Sequence, residues 1–202
     1  MIPENRTDRY PERGGGNDMN ELVRKMKDRM HEFAVHAKAK EITEENFDTY
    51  VNPIILAAAE IYKDPAIELL VPTDTDGMIL MYEDDAGYFL PMFTEEEEIR
   101  SSSIKGFVPV SFKDACGQVY ENLATYELID SEEYILEHLN EVIELKKYAD
   151  SNPRLAGIMI DPGSPDLFGL EGWILKGVVF KGMGVDTVTM YDPETGKIER
   201  TL

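Results

Sequence analysis

Residues 77–98 read GMILMYEDDAGYFLPMFTEEEE, and this stretch decides the fold. Two runs rich in apolar and aromatic residues, 78–83 and 88–93, flank Asp85-Ala86-Gly87, which has the composition of a three-residue hairpin loop. Pairing Asp84 with Tyr88 sets Tyr82 against Leu90, Leu80 against Met92 and Ile79 against Phe93, with apolar side chains on both faces. This predicts a central hairpin over about 78–93, covered on both sides. Pro91 lacks an N–H, so its position belongs at an edge or a bulge. Thr94 and Glu97 have the spacing of a capping box, which predicts a helix whose first turn holds Glu95 to Glu98.

Outward from the hairpin, helices and strands mix without a strict βαβ rhythm. The expected class is α+β, with a largely antiparallel or mixed sheet packed against several helices. Residues 1–16 are polar and rich in Gly and Pro, and read as a disordered tail; 17–202 read as one domain. The N-terminal helices are expected within 18–62. The first opens at Asp18 with Glu21 as capping partner. Its face carries Met19, Leu22, Val23, Met26, Met30, Phe33, Ala34 and Ala37. The second spans about 43–62, with Asn52-Pro53 as a cap and first-turn pair and Ile54, Ile55, Ala58 and Ile61 on one face. A short strand at 67–71 ends at Pro72, and 107–110 is strand-like. Ser111 caps a helix with Phe112, Ala115, Cys116, Val119 and Leu123 on its apolar face. Ser131 caps another, with Ile135, Leu136, Leu139, Val142 and Ile143 on one side. Residues 155–160 form a buried strand, 172–180 fit either helix or strand, and 185–202 form a C-terminal hairpin turning at 192–196.

The formal net charge is −20, and it is uneven. Residues 1–40 hold nine basic and seven acidic residues; the remainder holds 11 basic and 33 acidic. Such a body repels phosphate backbones and anionic membrane surfaces, so no nucleic-acid partner is expected. No apolar run approaches the roughly 18–20 residues of a membrane span. The single cysteine, Cys116, allows no intrachain disulfide and fits a reducing cytoplasm.

Few residues point to chemistry. Asp74, Asp76 and Glu83 fall near the spacing of a calcium loop, but Pro72 stands where the first ligand would be and both flanks read as strand, so Asp-Gly is read as a plain turn. His31 and His36 are five apart, not the four that place two ligands on one helix face, and they read as solvated. Cys116 reads as a buried, inert thiol. Gly14-Gly15-Gly16 follows no strand and lacks the Lys-Ser/Thr ending of a phosphate loop. No cofactor is expected. Asp161, Gly163 and Ser164, in a loop that leaves a buried strand, could join Phe93 and Thr94 at the hairpin exit as a ligand or interface site.

The run Tyr88-Phe89-Leu90-Pro91-Met92-Phe93-Thr94-Glu95-Glu96-Glu97 resembles the signature of the SseB N-terminal domain family, named for a serine-sensitivity phenotype and distinct from the secretion translocator of the same name. Ile158-Met159-Ile160-Asp161-Pro162-Gly163 is similar to that family's second mark, with Asp161 in place of the usual Asn. The likeness covers about residues 55–180. It implies a cytoplasmic bacterial accessory or binding protein and brings no active site with it. The expected function is a non-catalytic protein-interaction or regulatory module, with a protein partner, and self-association through helix 18–40 as one form of it. The alternative is a small-ligand-binding or enzymatic domain using the loop after strand 155–160.

Overall fold

The computed structural model describes residues 20–84, 87–100, 104, 106–191 and 198–201. The expected tail at 1–16, the hairpin loop Asp85-Ala86, the turn at 192–196 and most of the loop at 101–105 lie outside them. The class is α+β. The chain runs α1 (Glu21–Lys38), α2 (Phe47–Lys63), β1 (Glu68–Thr73), β2 (Tyr82–Asp84), β3 (Gly87–Met92), α3 (Glu96–Arg100), β4 (Gly106–Ser111), α4 (Phe112–Asp130), α5 (Glu132–Glu137), α6 (Leu139–Ser151), β5 (Leu155–Ile160), β6 (Phe168–Glu171), α7 (Gly172–Gly182), β7 (Thr189–Tyr191) and β8 (Ile198–Thr201).

The main sheet has the order β2-β3-β5-β6 and is mixed: β3 and β5 are parallel, and the outer pairs are antiparallel. β1 pairs with β4 and is tied to the end of β3 by reciprocal backbone bonds between Leu70 and Phe93, at 2.9 and 2.8 Å. β7 and β8 form a separate ribbon. Strand register aligns Leu90, Ile158 and Leu170 in one row and Met92, Ile160 and Phe168 in the next. All six belong to the main core, together with the buried faces of α1, α2, α4 and α7. Phe89, Phe93 and Met159 alternate with them and are buried on the opposite face. Parallel strands covered on both faces are expected to be continuously apolar, and 89–92 and 157–160 are continuously buried.

That two-sided environment belongs to β3 and β5 rather than to the hairpin as a whole. β2 is only three residues long, lies at the sheet edge and is exposed throughout. Its register is one residue away from the expected one: Asp84 faces Gly87, Glu83 faces Tyr88 and Tyr82 faces Phe89. The cause lies upstream. Asp74 donates its N–H to Met78 and Leu80 donates its N–H to Pro72, at 2.9 and 3.0 Å. Residues 78–80 therefore pair with the end of β1, and Ile79 faces Thr73 rather than Phe93. Pro91 sits on β3 between the pairing with β2 at Phe89 and the bridge to β1 at Phe93. Alternate residues aim their N–H groups to the same edge, so its missing donor falls in that gap.

α1 is capped by Asn20, whose side chain accepts the Leu22 N–H at 2.9 Å; the expected start at Asp18 lies outside the described residues. Its apolar face is covered by this chain: Val23, Met26 and Met30 are buried in the main core. Phe33 meets Phe47 of α2 and Phe168 of β6 edge-on, with ring centroids at 6.0 and 5.2 Å. Self-association through helix 18–40 would have to use its other, charged face. α2 runs unbroken through Pro53, so Asn52-Pro53 is interior and does not start a helix. The expected face of Ile54, Ile55, Ala58 and Ile61 is fully buried, and that packing outweighs the backbone bond a mid-helix proline removes.

Ser111 caps α4 as expected, accepting the Asp114 N–H at 3.3 Å. The helix expected after Ser131 is two helices, broken at His138, whose φ of −130° and ψ of 40° are not helical. Of its expected apolar face only Val142 is fully buried; Leu136, Leu139 and Ile143 are exposed. β6 was not expected. The ambiguous segment after it is the helix α7.

Candidate functional site

Because β3 and β5 are parallel and Met92 pairs with Ile160, the chain leaves both strands side by side. This is where open sheets with parallel strands commonly hold ligands, in the crevice beyond the carboxyl ends. Here the chain fills that place with its own groups. Asp161 donates its N–H to the Met92 carbonyl at 2.9 Å and extends the ladder by one residue. Its φ is +48°, a left-handed conformation that Asp and Asn tolerate better than other side chains. Its carboxylate Oδ1 accepts the Thr94 N–H, and Oδ2 accepts the Thr94 hydroxyl, both at 2.8 Å. One carboxylate thus clasps the exit of β3 at two points.

Lys27 completes the arrangement. Its Nζ lies 3.7 Å from Asp161 Oδ2, 3.7 Å from Glu95 and 3.5 Å from Glu98. α1 supplies the ammonium group, the residue just after β5 the buried carboxylate, and the β3–α3 junction and α3 one outer carboxylate each. Asp161 is wholly buried, whereas Lys27 is partly exposed. The two groups do not shift as a plain ion pair would. Burial pushes the Asp161 carboxyl above its ordinary range, and the bonds from Thr94 and the charge of Lys27 only partly offset it. Burial pulls the Lys27 ammonium down, but attraction to Asp161, Glu95 and Glu98 more than compensates and holds it above its ordinary value. Lys27 is thus fixed as a cation by three carboxylates, while Asp161 depends on its partners to remain ionised.

The other expected site residues have internal roles. Phe93 is a buried ladder residue. The Thr94 hydroxyl donates to Asp161, and α3 begins at Glu96, one residue later than a cap at Thr94 would place it. Asp161-Pro162-Gly163-Ser164 is a tight turn closed by the Ser164 N–H on the Asp161 carbonyl at 3.0 Å. Proline at the second position and Gly163 with φ +91° at the third suit a type II turn. The Ser164 hydroxyl accepts the Asp166 N–H at 3.2 Å. Around the expected Asp-Gly turn, Asp74 Oδ1 accepts the N–H groups of Asp76 and Met78, both at 2.9 Å, and Glu83 stands apart on β2. Among the described residues no group of three or more His, Cys, Asp or Glu is arranged to hold a metal ion. His31 lies against Asp166 at 3.0 Å and His36 against Glu41 at 2.6 Å, so the two histidines have separate partners.

Cys116 is fully buried, and burial pushes its thiol far above the ordinary range. A hollow of about 180 Å³ between α2 and the end of α7 is lined by Leu56, Glu60, Lys63, Lys181 and Asp186. It is smaller than the roughly 300–1,000 Å³ of small-molecule pockets. Its lysines are engaged, Lys63 with Glu60 at 2.7 Å and Lys181 with the Asp186 carbonyl at 2.6 Å. Another, of about 320 Å³, runs beside Glu21, Leu22, Arg24, Lys25 and Asp28, all on α1. Residues of a single helix do not make the convergent polar set that a ligand site needs. No helix among the described residues is long and apolar enough to cross a membrane. No family model matches the chain, and neither a curated protein nor a solved structure matches it.

Proposed function

We propose that this chain is an SseB-like, non-catalytic protein-interaction or regulatory module of the bacterial cytoplasm. The observation that carries this reading is the closed cluster at the ends of β3 and β5. Its carboxylate accepts two bonds from Thr94 and faces Lys27, and the group is wholly buried. A catalytic or ligand-binding carboxylate needs an open side, and Asp161 is wholly buried. The cluster acts as a lock that fixes α1 and the β3 exit to the sheet, leaving the outer surface for recognition. The marks that resemble the SseB N-terminal domain fall on this lock: Thr94 at the exit of β3 and Asp161 at the exit of β5. Among the described residues, α5 and α6 expose large apolar side chains that the domain's own packing does not use.

The test has two arms. Crosslinking of the full chain in bacterial extract at native salt is expected to recover a protein above background. Thermal melting across a panel of metabolites is expected to show no shift. A metabolite that raises the melting temperature of the wild type but not of Asp161→Asn would overturn this reading in favour of a ligand site at loop 161–164.

A further inference from the structure

Glu127 to Glu144 contains seven carboxylates and no lysine or arginine. Within it, Leu136 is 85% exposed, Leu139 62% and Ile143 47%. Leu139 and Ile143, four apart, are neighbours on one face of α6, and Leu136 stands on α5 just before the break at His138. α6 buries only Val142 completely, far less than the broad apolar stripe with which a helix ordinarily docks on its own domain. Some of the nearby charges are satisfied. Glu127 binds Lys176 at 2.7 Å, Asp130 binds Arg154 at 2.9 Å and Glu144 binds Lys147 at 2.6 Å. Glu132, Glu133 and Glu137 are exposed and make no ion pair among the described residues. Glu132 and Glu133 are four and three positions before Leu136, so they stand on its side of α5.

We infer that the outer face of α5 and α6, built on Leu136, Leu139 and Ile143 and edged by Glu132, Glu133 and Glu137, docks a basic amphipathic helix of a partner protein. This rests on the reading of the chain as an interaction module and names its surface. The occupant's apolar stripe covers the three aliphatic side chains, and its lysines or arginines meet the three unpaired carboxylates. A second copy of this chain is a poor occupant. Each copy carries a net charge of −20, and a two-fold contact through this face sets the same carboxylates against one another.

The probe is a fluorescein-labelled peptide of about 18 residues, made of leucine and lysine at helical spacing. Its control has the same composition, scrambled so that no single apolar face forms. Fluorescence anisotropy with the full chain is expected to show binding to the amphipathic peptide about tenfold tighter than to the control. The pair Leu139→Ser and Ile143→Ser is expected to remove that preference with the circular dichroism unchanged. The triple change Glu132→Gln, Glu133→Gln and Glu137→Gln is expected to weaken binding and flatten its dependence on salt from about 50 to 300 mM. Equal affinity for the two peptides, or an undiminished preference in the apolar variant, overturns the proposal. So does a wild-type dimer in sedimentation that the apolar variant dissolves, because the face is then a self-contact. Crosslinking of the same variants separates the two levels. Partners recovered equally by wild type and variants overturn this surface and leave the module reading standing; no partner recovered by any of them overturns both.

Discussion

Replacing Asp161 by alanine removes the acceptor of two short hydrogen bonds and the buried counter-charge of Lys27, and puts alanine at a φ of +48°. Hydrogen bonds to an ionised acceptor contribute about 1.5–3 kcal/mol each, and Thr94 is only partly buried, so water recovers part of their loss. The left-handed backbone adds about 1 kcal/mol for a residue with a Cβ and no local hydrogen bond. Against this, removing a buried carboxylate abolishes its desolvation penalty. The net expectation is a loss of about 3 kcal/mol in Asp161→Ala, read as a lower urea midpoint at constant slope. Asp161→Asn keeps an oxygen for the Thr94 N–H, suits the left-handed backbone and carries no charge to desolvate. It is expected to stay within about 1 kcal/mol of the wild type. The pH dependence follows from the raised Asp161 carboxyl. The folded state holds that proton more tightly than the unfolded state, so this group's contribution to stability falls as pH rises through the window just above the ordinary aspartate range. The stability of Asp161→Asn relative to wild type should therefore improve with rising pH across that window and then level off. If the asparagine variant loses as much as the alanine variant, the negative charge rather than the hydrogen-bond geometry holds the lock; if alanine costs less than about 1 kcal/mol, there is no lock.

Four further outcomes are expected. Lys27→Met keeps the stem and removes the cation, and should cost about 1–2 kcal/mol at neutral pH and less in acid, where Asp161 is protonated, as read by denaturant melts at both pH values. Gly157→Ala places a Cβ against the Leu170 carbonyl and 3.0 Å from the Glu171 Cα, backbone that cannot yield, and should lower stability by about 3 kcal/mol in the same assay. The Cys116 thiol should stay inert to a disulfide exchange reagent in the native protein and react at once when the chain is unfolded in urea. Leu139→Ser with Ile143→Ser should change thermal stability by no more than about 0.5 kcal/mol, because neither side chain is buried.

What could be read from the amino-acid order was the part set by local periodicity. The faces of α1, α2 and α4 follow the three- and four-residue spacing of their apolar residues, and the buried stretch of β5 is apolar without interruption. The hairpin register was not legible. Both 78–83 and 88–93 look like paired strands, but residues 78–80 find a second partner in β1, and only the tertiary arrangement decides between them. The helix predicted from Ser131 failed for a related reason. Ile135, Leu136, Leu139, Val142 and Ile143 keep helical spacing, yet the break at His138 changes the phase and only Val142 reaches the core. At the site, the sequence groups Thr94 and Asp161 as candidate residues but gives no sign that they bond to each other. Their bond spans 67 positions and depends on β3 and β5 being parallel. Lys27 is one of four basic residues close together on α1, with Arg24, Lys25 and Arg29. Nothing in its neighbours marks it as the one that meets a carboxylate 134 positions away.

The most direct test of the closed cluster is hydrogen exchange at the Thr94 amide, followed by NMR in the full chain. The Thr94 N–H donates to the wholly buried carboxylate of Asp161. It should exchange as slowly as the Phe93 amide beside it, keep its chemical shift when a mixture of metabolites is added, and become fast in Asp161→Ala. Fast exchange in the wild type, or a shift of this amide on addition of a metabolite, would mean that the cluster is open to solvent or ligand and would contradict the account.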